Sequence, residues 1–264
     1  MPRPRKQEAG CTGNGTEDPF LASLATERLD PAFGKTAQIY TLIRNGIVQL
    51  KLPPGAAINE REICARLGIS RTPLREAILQ LAAENLVTVI PNLGTSVAPI
   101  HIQDAFDGQL VRDALEMRVV RLAASRMNLA TERALAANME AQHKASATRD
   151  FDGFYLLDEE FHRLISECGA SSTVWRIING AKAQLDRIRR LGFPRPNHAE
   201  TVLAEHQAIF DGLMQRDPER AAAAMQTHLD RVFETVRLLI AERRDYFSPD
   251  AGEVAQRAGR PAGA

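Results

Sequence analysis

Apolar residues recur at helical spacing along most of this chain, and the rhythm breaks at a few short Pro-, Gly- or Asp-containing stretches. Ile39, Ile43, Ile47 and Leu50 share one side of a segment running roughly from Ala37 to Lys51, which Leu52-Pro53-Pro54-Gly55 ends. Between Asn59 and Asn85 the pattern predicts two short helices. Ile63 and Leu67 face inward on the first, and Leu74, Ile78, Leu81 and Ala82 on the second. Asn59 is placed to cap the first helix, Gly68 to stop it in the left-handed conformation, and Ser70 to cap the second. Leu86–Ile90 and Thr95–Ala98 then flank Pro91-Asn92-Leu93-Gly94, which reads as strand, turn, strand. Helix, helix-turn-helix and β wing together span residues 35–98.

From about Ile102 to Phe247 the periodicity stays helical. Its breaks predict helices over Gln103–Met127, Thr131–Arg149, Phe151–Cys168, Ser171–Leu191, Ala199–Gln215 and Pro218–Arg244. Short links between long helices make an antiparallel bundle. The expected fold is therefore mainly α, an N-terminal winged helix-turn-helix followed by an all-α domain over residues 102–247. Residues 1–34 and 248–264, rich in Pro, Gly and charge, read as disordered tails. The basic start Pro2-Arg3-Pro4-Arg5-Lys6 is read as a solvated tail rather than a contact to phosphates.

Composition changes this picture little. The chain has 264 residues, enough for two domains with their own cores, and its formal net charge is zero. The informative charge is local: residues 35–98 hold seven basic side chains against four acidic ones. Cys11, Cys64 and Cys168 have neither metal-ligand nor disulfide spacing. No apolar run reaches membrane-spanning length and no signal-peptide core follows the N-terminus, so a cytoplasmic protein is expected.

Arg61, Arg71 and Arg75 lie off the apolar stripes of the two short helices. Arg71 and Arg75, four residues apart, project side by side from the start of the second. An apolar-backed helix with cationic first turns suits the DNA major groove, where Arg reads guanine or holds phosphate. The bland alternative is a small helical subdomain with solvated arginines. Residues 36–98 resemble the DNA-binding domain of the GntR family of bacterial transcription regulators. The resemblance rests on Leu52-Pro53-Pro54-Gly55, Glu60-Arg61-Glu62-Ile63, Ser70-Arg71-Thr72-Pro73-Leu74-Arg75-Glu76-Ala77 and Asn92-Leu93-Gly94-Thr95. It implies operator contacts at Arg61, Arg71, Thr72, Arg75 and Gly94, with Ser70 beside them.

Four residues are out of place in the helical half. Asp158 and His162 lie along the edge of the stripe Phe154, Leu157, Phe161, Ile165; His206 sits in the stripe Leu203, Ile209, Phe210, Leu213; His228 adjoins Met225, Leu229, Val232, Val236. A carboxylate and three imidazoles inside one apolar bundle are costly unless they satisfy one another or a cation. Asp158 and His162, at i and i+4, reach the same point. The donor set suits one divalent metal, Zn²⁺ first, with Ni²⁺ and Mn²⁺ as alternatives. A lone buried His is more often a hydrogen-bonded core residue. His101, His143 and His198 receive that reading.

Residues 102–247 are similar to the FCD ligand-binding domain of the FadR-like GntR subgroup. The matching pieces are Arg112 with Glu116, Asp158-Glu159-Glu160-Phe161-His162, Glu205 to Phe210, and His228-Leu229. The chain departs at Ala170-Ser171-Ser172, where the family often has Ser-Gly-Asn. The resemblance implies that Asp158, His162, His206 and His228 hold the metal. A small carboxylate effector would then bind beside it at Arg112, with Glu116 and Arg189 in the same pocket. The resulting expectation is a ligand-responsive repressor that binds a palindromic operator as a homodimer. A di-iron enzyme is the alternative, because Glu159/His162 and Glu140/His143 both spell ExxH. It lacks the further bridging glutamates and leaves the N-terminal half unexplained, while a DNA-bending protein leaves the metal set unexplained.

Overall fold

The structure is a computed structural model and describes residues 18–258. Helix α1 (Pro19–Leu24) opens it, followed by α2 (Lys35–Val48), α3 (Glu60–Leu67) and α4 (Arg71–Ala83). Strands β1 (Val87–Ile90) and β2 (Gly94–Val97) pair antiparallel, with Val87 opposite Val97 and Ile90 opposite Gly94. The caps behave as the residue types demand. The Asn59 side chain accepts from the Glu62 N–H at 3.1 Å, and Gly68 ends α3 at φ 61°, ψ 40°. Ser70 occupies the N-cap position of α4, but its side chain makes no capping bond, contrary to expectation.

The core of this domain is built from Ile39, Ile43 and Ile47 of α2, Ile63 of α3, and Leu74, Ile78 and Leu81 of α4, all buried. It also takes in Phe20 and Leu24 of α1. The expectation of a disordered segment up to residue 34 is therefore corrected over α1. Asp18 caps that helix, and Arg66 donates to the Leu21 carbonyl at 3.0 Å, tying it to α3. Residues 1–17 of that expected tail lie outside the described residues.

The helical half contains α5 (Ile102–Arg126), α6 (Leu129–Thr148), α7 (Phe151–Gly169), α8 (Ser172–Ala181), α9 (Ala183–Gly192), α10 (His198–Met214) and α11 (Pro218–Glu242). The single helix expected over Ser171–Leu191 is two helices that meet at Lys182. The reason is the Lys182 side chain. It turns inward and is 1% exposed, with Nζ 2.5 Å from Glu159 and 2.6 Å from Asp186. The expected tail from residue 248 is also corrected over residues 248–258, and residues 259–264 lie outside the described residues. A 3₁₀ turn (Arg244–Tyr246) leads to α12 (Ala251–Ala258), whose Ala251 and Ala255 are buried against Ile100, Ile102 and Phe247. The Ser248 N–H donates to the Ile100 carbonyl at 3.0 Å, so the C-terminal segment stitches down the linker after the wing.

The two halves touch through α9. Ala183 is part of the winged-domain core, and Gln184 donates to the Asn85 carbonyl at 2.9 Å. Arg187, fully buried, donates to the Ala98 carbonyl at 2.7 Å and to Gln184 at 2.8 Å. Burial with no carboxylate beside it pulls this guanidinium down to about 9. No helix among the described residues is long and apolar enough to cross a membrane.

Helices α10 and α11 cross where Gly212 meets Ala221. A Cβ built on Gly212 would stand 2.7 Å from the Ala221 nitrogen and 2.8 Å from its Cα. Backbone, unlike a side-chain tip, cannot step aside. Gly212→Ala is therefore expected to destabilise the fold by about 1–3 kcal/mol through overpacking. Urea unfolding monitored by circular dichroism measures this, and an unchanged midpoint would show that the crossing is loosely packed.

Candidate functional site

Helix α7 carries Asp158 and His162 one turn apart, α10 carries His206 and α11 carries His228. All four are buried, and each offers a ligand atom within 4.8 Å of the others. Packing fixes the rings from the sides. Phe161 stacks on His206 with centroids 4.5 Å apart and 16° between planes.

What aims the nitrogens is a set of acceptors behind each ring. His162 Nδ1 lies 2.7 Å from Glu116 Oε2, and His228 Nδ1 lies 3.1 Å from Glu205 Oε2. His206 Nδ1 lies 2.8 Å from Gln142 Oε1. The orientation of Gln142 is itself determined, because its amide donates to Asn138 at 2.6 Å and Asn138 donates to the Leu157 carbonyl at 2.9 Å. Each Nδ1 therefore carries the proton, and each Nε2 presents a lone pair to the interior.

The consequences show in the atoms. His162 Nε2 and His228 Nε2 face each other at 3.2 Å. His206 Nε2 and Asp158 Oδ1, 3.5 Å apart, are buried without a hydrogen-bond partner. Three lone pairs and a carboxylate oxygen converge on one point; Arg112 Nη2 reaches the His162 Nε2, whereas His206 Nε2 and Asp158 Oδ1 are left without a donor, a need that a cation would meet. The residues present therefore fit a divalent metal. Burial pushes His206 and His228 well below the usual imidazole range, and the neighbouring imidazoles add to it. Burial alone would raise the Asp158 carboxyl, but Arg189 and the three imidazoles outweigh it and hold it below the ordinary carboxylate range.

The arginines expected at an effector stand here already paired. Arg112 Nε donates to Glu116 at 2.7 Å, and its Nη2 lies 3.2 Å from His162 Nε2. Arg189 pairs with Asp158, Glu159 and Asp186. Glu116 supports a histidine rather than facing the open space. Arg112, Asp158, Arg189 and His228 line a cavity of about 30 Å³ that continues along α11 past Arg231 to Thr235. His198, given the bland reading from sequence, stands in its wall. His101 begins α5 and His143 is exposed, away from the cluster.

Sequence reasoning missed Gln142, Asn138 and Glu205. The signal for the first two was present: polar residues one turn apart on α6, among buried Leu135 and Met139. Glu205, next to His206 on α10, points about 100° away from it and reaches His228 instead. Neither ExxH unit supplies a second metal site, since Glu159 pairs with Lys182 and Arg189, and Glu140 is exposed.

At the other end of the molecule, Arg61, Ser70, Arg71, Thr72, Arg75 and Gly94 are all exposed. Arg71 and Arg75 occupy the first two turns of α4, and no protein group among the described residues pairs with Arg61, Arg71 or Arg75. Gly94 opens β2 at φ 115°, a conformation that favours glycine, and leaves the wing without a side chain there. Thr95 donates to Glu60 at 2.8 Å, and the Ile58 N–H to the Thr95 carbonyl at 2.8 Å, so the wing is held against the start of α3.

Comparison with known proteins gives two matches to family models. Residues 35–97 match the bacterial regulatory proteins of the gntR family, and residues 109–231 match the FCD domain. The chain is similar to the HTH-type transcriptional repressor RspR of Escherichia coli (strain K12), 33% identical over 223 residues that cover 84% of this chain and 98% of that one. It is also 34% identical over 216 residues to an uncharacterized HTH-type transcriptional regulator in an unstable DNA locus of Streptomyces ambofaciens, covering 82% and 91% of the two chains. Among solved structures, E. coli McbR/YncC shares the fold, with a TM-score of 0.65 and 19% identity over 75% of this chain and 95% of that one.

The support behind His206 can be tested without any metal. Gln142→Leu leaves the His206 Nδ1–H buried with no acceptor, which is expected to destabilise the metal-free protein by about 1–3 kcal/mol. Urea melts in excess chelator report the value, and parent-like stability would remove Gln142 from its assigned place.

Proposed function

Because the chain belongs to the GntR family of bacterial regulatory proteins and carries an FCD domain, we propose that it is a transcriptional repressor controlled by a divalent metal and a small carboxylate. It is a DNA-binding regulator and not an enzyme. The observation that carries the finer reading is the buried cluster, in which three Nε2 lone pairs and Asp158 Oδ1 converge with two of the four atoms unpartnered. Asp158, His162, His206 and His228 would hold the ion, which when bound supplies a Lewis-acidic point for an anionic oxygen. Zn²⁺ suits the N₃O donor set best, with Ni²⁺ and Mn²⁺ also matched by it.

The residues of the chain do the rest. Glu116, Gln142 and Glu205 hold the imidazole protons on Nδ1 and keep Nε2 free, the support by which metal-ligating histidines are oriented. Arg112 donates to the His162 Nε2 lone pair and also lines the cavity, so it is placed to donate to an effector carboxylate there. Arg189 is placed to contribute from the opposite side through its contact with Asp158. On the DNA side, Arg61, Arg71, Thr72 and Arg75 would meet bases and phosphates, with Ser70 and Gly94 at the helix start and the wing allowing close approach. A homodimer would present two recognition helices to the half-sites of a palindromic operator, in the cytoplasm.

Two measurements test this reading. Purified protein is expected to carry one divalent ion per chain by elemental analysis, and adding Zn²⁺ to stripped protein to raise its thermal midpoint, since the ion binds only the folded state. His206→Ala and His228→Ala should each abolish that rise; stripped parent protein indifferent to Zn²⁺, Ni²⁺ and Mn²⁺ alike would return the histidines to the core. Separately, Arg71→Ala or Arg75→Ala should weaken specific operator binding by about 1–3 kcal/mol with the fold intact. Fluorescence anisotropy on a selected operator measures the loss, and equal affinity in both variants would take α4 out of recognition.

A further inference from the structure

The connection between the two halves is built unlike an ordinary domain linker. Residues 98–101 join β2 to α5, and both polar backbone groups of Ala98 and of Ile100 are engaged inside the protein. The Ala98 N–H donates to the Leu86 carbonyl at 3.0 Å, and the Ala98 carbonyl accepts from Arg187 at 2.7 Å. The Ile100 N–H donates to the Tyr246 carbonyl at 2.8 Å, and the Ile100 carbonyl accepts from the Ser248 N–H at 3.0 Å. Ile100 and Phe247 thus run side by side as a parallel bridge. Linkers that let domains move are exposed and give these groups to water.

The segment that grips Ile100 is itself fixed. Arg244 donates to the carbonyls of Ser248, at 2.7 Å, and of Pro249, which closes the turn after α11. The Ala251 N–H donates to the Ser248 carbonyl at 3.1 Å, so α12 starts directly from that turn. Beyond these bonds the grip is apolar. Phe247, Ala251 and Ala255 are buried in one cluster with Ile100, Ile102 and, from α9, Ile188. That cluster is separate from the one holding Phe161, on which His206 stacks.

Both sides of the grip lie outside the two family matches. The linker falls between residues 35–97 and 109–231, and Arg244 to Ala258 follow the second match, so neither matched domain includes the contact.

We propose that residues 244–258 are a clamp on the interdomain linker and that operator binding depends on it. A docked clamp holds the winged half in one orientation, so α4 and the wing reach DNA already ordered. With a free linker that ordering must be supplied at each binding event, at a cost in affinity. The proposal rests on the DNA-binding reading above and uses nothing of the metal or the effector.

The test compares the full-length parent with the double variant Ala251→Glu/Ala255→Glu. Two carboxylates without partners cannot stay in the apolar cluster, whereas glutamate suits a solvated helix. Hydrogen exchange read by mass spectrometry is expected to run roughly tenfold or more faster over residues 98–104 of the variant, with α10 protected as in the parent. Fluorescence anisotropy on a selected operator should show binding weakened roughly tenfold or more. A parent whose Ile100 amide exchanges like an unprotected peptide overturns the clamp, and that measurement needs no variant to fold. A variant whose linker stays protected, or whose freed linker leaves operator affinity as in the parent, overturns it equally. If α10 also loses protection the double variant has unfolded, and Phe247→Ala, which only trims the apolar grip, is read by the same criteria. A parent that binds no operator overturns the DNA-binding reading, and the dependence on the clamp falls with it.

Discussion

The helical half is organised around the placement of three protons. Gln142, Glu116 and Glu205 each hold a hydrogen on the Nδ1 of one buried histidine, and the opposite nitrogens consequently face inward without hydrogens. Reverse any one of these contacts and the cluster gains a donor where it now has an acceptor. Four helices, α5, α6, α10 and α11, contribute a supporting or ligating group, and α7 supplies both Asp158 and His162. The bundle's packing and the chemistry of its centre are therefore the same problem. The close approach of α10 and α11 at Gly212 keeps the two helices bearing His206 and His228 at a fixed distance.

Helix α9 faces two ways. Asp186 and Arg189 belong to the charged group around Asp158, whereas Ala183, Gln184 and Arg187 belong to the contact with the winged domain. Ten residues thus touch both the cluster and the chain leaving the wing. One helix therefore has a foothold in each half. Its N-terminal cap is Lys182, held by Glu159 and Asp186 in the same charged group.

Much of this was legible in the sequence, for identifiable reasons. Asn59 and Gly68 mark the ends of α3 because capping and left-handed backbone are local properties, written into single residues. The Asp158, His162, His206 and His228 set was legible because charged and polar side chains interrupt stripes whose helical period was otherwise clear. Gln142 was harder, since an amide on a helix face is equally consistent with a solvated edge; its partner His206 is 64 residues away. The break at Lys182 was invisible for a similar reason. Nothing in Asn179-Gly180-Ala181-Lys182 forbids a continuous helix, and the cause lies in the distant Glu159. Helix α1 was hidden because only Phe20, Leu21 and Leu24 are apolar in a stretch too short to show a period.

Arg187 carries a further implication for how the halves part. Its guanidinium is sealed from water with two neutral acceptors, a carbonyl and an amide, and no anion. The other buried cations among the described residues, Arg112, Lys182 and Arg189, are each locked by a counter-charge, and separation there means pulling opposite charges apart. Here hydration competes on nearly equal terms, because water offers the guanidinium at least as much as Ala98 and Gln184 do. A crack that admits a few waters at Ala98 is rewarded by solvation as soon as it opens. The junction is held by shape and apolar contact, while its central charge gains solvation wherever water reaches it.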